Sequence, residues 1–204
     1  MAEFWEGAFK DKGAMWGEEP AKSALLARDF FLKKGIKKVL VPGFGYGRNA
    51  RLFHEGGMAV TGIEISATAI ELARQHFGTQ MIIHHGSVTA MPFDQQEYDG
   101  IFCYGLIYLL DEEERRQLIQ RCYEQLAPGG YMIFTAITKG ASTYGKGTAI
   151  GKDRFEMFGG VKLFFYDEES MQADFSNYGL LNVSEVEENY PFYFITCVGG
   201  SVKK

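Results

Sequence analysis

Three glycines at alternate positions, Gly43, Gly45 and Gly47, stand between an apolar run, Lys37 to Val41, and a stretch with helical spacing that starts at Asn49. Without Cβ atoms the backbone there can turn sharply and approach a ligand closely. A helix opening after such a turn offers unpaired N–H groups to an anion. A second apolar run, Ala59 to Glu64, ends in a carboxylate that can only accept hydrogen bonds. Turn, second run and acid together suit the binding of a nucleotide-like cofactor. Other reactive residue types lack such support. His84 and His85 are neighbours on an expected strand and face opposite ways, no third ligand stands at a recognisable spacing, and so no metal is expected. Cys103, Cys122 and Cys197 form no C-x-x-C pair and leave one over in any disulfide scheme, which suits a reducing cytoplasm.

The dinucleotide fingerprint G-x-G-x-x-G needs a third glycine at position 48, where Arg48 stands. The spacing here, G-x-G-x-G, resembles motif I of the class I S-adenosylmethionine-dependent methyltransferases. Tyr98 to Tyr104 resembles that family's fourth strand, and Leu126-Ala127-Pro128-Gly129-Gly130 resembles its turn into the fifth. The Gly47-Arg48-Asn49 ending is similar to the small-molecule branch that contains tellurite-resistance and thiopurine methyltransferases. The resemblance implies a Rossmann-like, doubly wound α/β sheet of seven strands with its last strand antiparallel. It implies S-adenosylmethionine as cofactor, with Glu64 gripping the ribose hydroxyls, and a site drawn from Trp16, Gly43, Gly45, Tyr46, Gly47, Asn49, Glu64, Ile65, Ser87, Val88 and Tyr104. Tyr108, Tyr144 and Arg154 are implied on the acceptor side. Two positions depart from the family pattern. Val41 stands where an acid usually precedes the first glycine, and Ser87 where an acid usually ends the third strand.

The elements that must position these residues follow one another along the chain. Phe4, Trp5, Phe9, Met15 and Trp16 make the first twenty residues too aromatic for a disordered tail. They either cap the core or close over the cofactor, and the resemblance favours a lid that includes Trp16. Pro20 suits a first helical position, and Gly35 a helix end. Strands are expected at 37–41, 59–64, 80–86, 98–104 and 131–138, with Ser66 and Asp111 as N-caps of intervening helices. In doubly wound sheets the ligand lies outside the carboxyl ends of the strands, so Cys103 to Tyr108 should form a pocket wall. Glycines at 140, 145, 147, 151, 159 and 160 break any helix and predict a long irregular segment on the substrate side. Asp167 caps a last helix, and Val183–Val186 pairs with Tyr190–Val198 as a hairpin.

A chain of 204 residues with 46 % hydrophobic and 23 % charged residues reads as one globular domain. It divides into an N-terminal lid and helix (1–35), a cofactor core (36–138), a substrate-side insertion (139–165) and a C-terminal helix and hairpin (166–204). The net charge of −5 argues against a nucleic-acid partner, and no apolar run is long enough to span a membrane. A cytoplasmic enzyme methylating a small molecule is the reading that follows. Two others stand beside it: a S-adenosylmethionine-binding regulator or partner subunit without catalysis, motivated by Val41 and Ser87, and a nicotinamide-dependent oxidoreductase. No catalytic base is named by spacing. If the glycine turn forms the site, Gly45→Val abolishes cofactor binding by placing a branched side chain where ligand and backbone meet; full affinity in a folded variant, measured by calorimetry, would remove the turn from the site.

Overall fold

A computed structural model describes residues 2–157 and 159–200. Two helices, α1 (Ala2–Lys12) and α2 (Lys22–Lys34), precede an alternating run of β1 (Lys38–Pro42), α3 (Ala50–Glu55), β2 (Ala59–Glu64), α4 (Ala67–Phe77), β3 (Ile82–His85), β4 (Tyr98–Cys103), α5 (Glu112–Glu124) and β5 (Leu126–Ile137). The insertion supplies β6 (Thr148–Gly151), β7 (Arg154–Met157) and β8 (Val161–Phe164). Then α6 (Glu168–Phe175) leads to β9 (Leu180–Glu187) and β10 (Pro191–Val198). Seven strands form the main sheet in the order β3-β2-β1-β4-β5-β10-β9. The strands β3, β2, β1, β4 and β5 are parallel, and β10 runs antiparallel to both of its neighbours. This is the seven-stranded, doubly wound arrangement expected, with its final strand reversed.

Strand side chains alternate between faces, and here both faces are covered, so the strands read as nearly continuous apolar runs. Leu40, Ile63, Ile101 and Phe134 point into one core with Leu118 of α5 and Phe175 of α6. Their neighbours Val39, Val41, Val60, Phe102 and Ile133 point into the other, against Phe31 of α2, Phe53 of α3 and Ala73 of α4. The result is three layers with the ends of β1 and β4 side by side at the middle of the sheet.

The capping residues behave as their chemistry predicts. Ser66 accepts from the Ala69 N–H, Asp111 and Glu114 form a reciprocal capping box, Asp167 does the same with Ser170, and Gly35 ends α2 in the left-handed region. Three expectations are corrected. Helix α2 starts at Lys22 rather than at Pro20, because the Ala21 N–H is drawn onto the Asn49 side chain at 2.9 Å. Strand β5 begins at Leu126 and runs through the Pro128-Gly129-Gly130 turn, accommodated by a register shift against β4 between Tyr98 and Gly100. The insertion is a three-stranded antiparallel sheet. Its β6–β7 turn places Asp153 at φ 57°, a region a short polar side chain tolerates. The Lys139 ammonium binds both Asp153, at 2.8 Å, and Asp167, fastening the tip of that hairpin to the start of α6. Among the described residues no helix is long and apolar enough to cross a membrane.

One close approach fixes the geometry of the glycine turn. Phe44 tucks beneath it and is buried, and a Cβ built on Gly62 of β2 would stand 2.2 Å from the Phe44 ring. Glycine at 62 is therefore what lets the turn carry an aromatic ring as its foundation. Gly62→Ala should cost about 1–3 kcal/mol through overpacking, seen as a lower urea midpoint; an unchanged midpoint would mean that the ring is free to move aside.

Candidate functional site

The turn after β1 is held to the end of β2 by backbone bonds. The N–H groups of Gly43 and Phe44 both donate to the Ile63 carbonyl at 3.0 Å. Gly43, Gly45 and Gly47 all have positive φ, which glycine adopts without strain. The next group along, the Gly45 N–H, donates to Glu64 Oε2 at 2.7 Å, and Glu64 Oε1 accepts from the Ser66 N–H at 2.8 Å. Glu64 is only 6 % exposed. Burial pushes its carboxyl above the ordinary value, against the pull of the Ser66 and Gly45 N–H groups. A buried carboxylate with acceptor capacity left over faces a cavity at the end of β2.

That cavity has a volume of about 460 Å³, within the range of small-molecule sites. The structure brings Trp16, Gly43, Gly45, Tyr46, Asn49, Glu64, Ile65, Ser87, Val88 and Tyr104 to its wall, together with Tyr108. Space is open above Gly45, where a Cβ would meet nothing within 4 Å. Gly47 is not on the wall: its Cα packs between the rings of Phe44 and Phe77, and its part is conformational. Ser87 is at the wall, its hydroxyl 2.8 Å from that of Thr89. Val41 is buried in the core instead. Tyr144 and Arg154 also lie off the wall. Tyr144 donates its hydroxyl to Asp153 at 2.7 Å and packs edge-on against Phe155 and Phe165. Arg154 has a buried Nε without a partner, and burial lowers its guanidinium below the ordinary value. The insertion meets the cavity through Val161 and Leu163 of β8 instead; these share one face of the small sheet with their β7 partners Met157 and Phe155, while Arg154 pairs with Phe164 on the other face.

The first helix covers the opening. Phe4, Trp5, Ala8 and Phe9 of α1 line the cavity along with Met15 and Trp16 of the following turn. Trp16 stacks on Tyr46 with ring centroids 6.1 Å apart and planes 10° from parallel. The Tyr46 hydroxyl accepts from the Trp16 N–H at 3.2 Å and donates to the Gly17 carbonyl at 2.6 Å; Arg48 donates to the carbonyls of Trp16 and Glu19. A second fastening comes from Glu6. It accepts from the Ser66 and Thr68 hydroxyls, each at 2.7 Å, and from the Thr68 N–H at 3.2 Å. These donors sit on the first turn of α4, where the helix dipole favours an anion. They pull the Glu6 carboxyl down to about 2.

After β4 and in the β9–β10 turn the wall is aromatic and contains one carboxylate that sequence reasoning missed. Glu188, in the turn between β9 and β10, accepts at Oε1 from the Ser23 N–H (2.8 Å) and hydroxyl (2.6 Å), and at Oε2 from the Tyr104 hydroxyl (2.8 Å). Tyr190 and Phe192 follow it on the wall. Burial, reinforced by Glu188, pushes the phenols of Tyr104 and Tyr108 far above their ordinary range, so both stay protonated at neutral pH. Cys103 is fully buried with its thiol pushed up by desolvation, which leaves no thiolate to act as a nucleophile. The alternation of Tyr190 and Phe192 after a polar turn was the one available signal that this hairpin presents rings to one face.

Residues 39–130 match a family described as a methyltransferase domain. The chain is 31 % identical over 106 residues to a methyltransferase of Geobacillus sp. (strain WCH70), covering 50 % of this chain and 43 % of that protein. It is 28 % identical over 111 residues to the ubiquinone biosynthesis O-methyltransferase of Coxiella burnetii, covering 53 % and 47 %. The chain thus spans less than half the length of these relatives. Among solved structures it resembles the Burkholderia thailandensis 1,6-didemethyltoxoflavin-N1-methyltransferase, crystallised with its acceptor and S-adenosylhomocysteine, with a TM-score of 0.76, 15 % identity, and 98 % and 87 % of the two chains covered.

Glu6→Ala removes the acceptor that joins α1 to α4. Amide exchange across residues 2–12 should then accelerate while the main sheet stays protected; equal protection would mean that ring stacking alone holds the helix. In the parent protein the carboxylate's contribution is full above its ordinary value of 4.5 and drains away as pH falls toward about 2, so the same acceleration should appear there only in strong acid.

Proposed function

We propose that this chain, which carries a class I methyltransferase domain, transfers a methyl group from S-adenosylmethionine to a small-molecule acceptor. The observation that carries the reading is the Glu64 carboxylate, buried at the cavity wall and oriented by the Gly45 and Ser66 N–H groups. A ribose presents two adjacent hydroxyl donors, and an ionised carboxylate fixed at the end of β2 can accept both. Gly45 leaves room for the ligand's chain to cross the turn, and Ser87 and Val88 face the same space from the end of β3. The residues present therefore fit the cofactor.

When bound, S-adenosylmethionine supplies a methyl group activated by its sulfonium. What the protein adds is placement, since holding reactants in line removes much of an entropic barrier. The glycine turn and Glu64 line the cavity together with Tyr104, Tyr108 and Phe192, and residues of α1 and β8 complete the wall. A small acceptor is supported by the size of the cavity, about 460 Å³, by the 1,6-didemethyltoxoflavin bound in the Burkholderia structure, and by the chain's net charge of −5, which opposes a phosphate backbone. Three free, buried cysteines fit a reducing compartment such as the cytoplasm.

Calorimetric titration should give micromolar affinity for S-adenosylmethionine and no signal with NAD; the opposite pattern would sink the proposal. Glu64→Ala should weaken S-adenosylmethionine binding by about 1–3 kcal/mol, the worth of charged hydrogen bonds. Affinity of the parent protein should also decline as pH falls through the raised Glu64 value, because protonation replaces an acceptor with a donor. Binding that is flat with pH and unchanged by the substitution would dissociate Glu64 from the ribose.

A further inference from the structure

We propose that the aromatic end of the cavity is a cation-binding subsite built around Glu188, and that the methyl acceptor is a small protonated amine. The inference rests on the methyl-transfer reading above and names its substrate class. Glu188 lines the cavity beside four rings, Tyr104, Tyr108, Tyr190 and Phe192. Phe192 stands 6.2 Å from Tyr104 and 6.0 Å from Tyr108, ring centroid to centroid. Ring faces carry partial negative charge and attract an ammonium group, most strongly when water is excluded.

The carboxylate has capacity to spare. Two oxygens offer about four acceptor positions, and three are taken by Ser23 and Tyr104. Those three donors fix its orientation without neutralising its charge. The remaining charged residues on the wall are Lys12, Arg48, Glu64 and Glu114. Arg48 donates to the Trp16 and Glu19 carbonyls and stands 5.9 Å from the Tyr104 ring, Glu114 closes the cap of α5, and Lys12 ends the lid helix. Glu64 belongs to the ribose end. Arg48 keeps its positive charge as Glu188 keeps its negative one, and an ammonium seated against Glu188 would find a counter-ion and ring faces together.

The same group resolves a chemical difficulty. An ammonium nitrogen has no lone pair and must shed a proton before it reacts. Tyr104 and Tyr108 are both held protonated by their surroundings, so neither can take that proton. Glu188 can accept it and release it to solvent. The nitrogen–carbon bond then forms as the carbon–sulfur bond breaks, the electron pair staying on sulfur, and the products are a methylated ammonium, the neutral thioether and one proton.

The test uses three probes of one shape, phenethylamine, 2-phenylethanol and 3-phenylpropionate, titrated into the full chain and followed by calorimetry. The amine should bind roughly tenfold more tightly than the alcohol, the ratio an ion pair with ring faces can supply, and the carboxylate should bind least. Glu188→Gln keeps one acceptor oxygen for the Ser23 donors and turns an NH2 toward Tyr104, whose hydroxyl can rotate to accept from it; the charge is removed, which should erase the preference for the amine while thermal unfolding and S-adenosylmethionine affinity stay close to those of the parent. Equal or tighter binding of the carboxylate, or an amine preference that survives in Glu188→Gln, would overturn the subsite. Loss of S-adenosylmethionine binding in the separate titration would instead overturn the methyl-transfer reading, with the amine preference still deciding this one.

Discussion

A carboxylate taken out of water needs donors, and Glu64 finds them on two neighbouring stretches of backbone. One oxygen holds the Gly45 N–H of the glycine turn and the other the Ser66 N–H that begins α4. The turn after β1 and the turn after β2 are thereby locked at a fixed separation, and the cavity between them inherits that separation. Gly62, by leaving room for Phe44 beneath the turn, supplies the apolar floor on which this polar clamp rests. Burial raises the Glu64 carboxyl because the N–H groups around it replace water incompletely. A ligand bringing two more donors would complete the solvation.

Two further glutamates use the same device at larger sequence separation. Glu6 meets the first turn of α4 and Glu188 meets the first turn of α2. Each ties a chain segment that is not part of the parallel core, the N-terminal helix in one case and the C-terminal hairpin in the other, onto a helix that is. Helix starts have orphan N–H groups that must be satisfied from somewhere, and in this chain distant carboxylates do part of that work. The walls of the cavity are consequently made by the two ends of the sequence, with the middle providing the floor.

What could be read from the sequence follows from how local each determinant is. The glycine turn, the acid closing β2, the caps Ser66, Asp111 and Asp167, and the apolar runs of the sheet are all set within a few residues, whereas the seven-stranded arrangement was legible only through the resemblance to the methyltransferase family. The insertion was opaque because its strands are four residues each, too short to show a period against a background of glycine. Tyr144 and Arg154 suit a substrate by residue type, but Tyr144 is drawn to Asp153 and Arg154 falls on the face of β7 opposite to the one that Val161 and Leu163 continue to the wall. Glu188 read as an ordinary hairpin turn because its donors, Ser23 and Tyr104, lie far away in sequence. Long-range partners of that kind leave no trace in local spacing.

The placement of the aromatic residues in the N-terminal segment has an optical consequence. The chain contains two tryptophans, Trp5 and Trp16, and both lie in the cover over the cavity, their rings 6.1 Å apart. Every tryptophan photon the protein emits therefore originates at the mouth of the site and none from the sheet. Intrinsic fluorescence, ordinarily a blurred average over a whole fold, here reports on a single surface, and an unlabelled protein in a stopped-flow cell already carries its own probe of binding in the cavity.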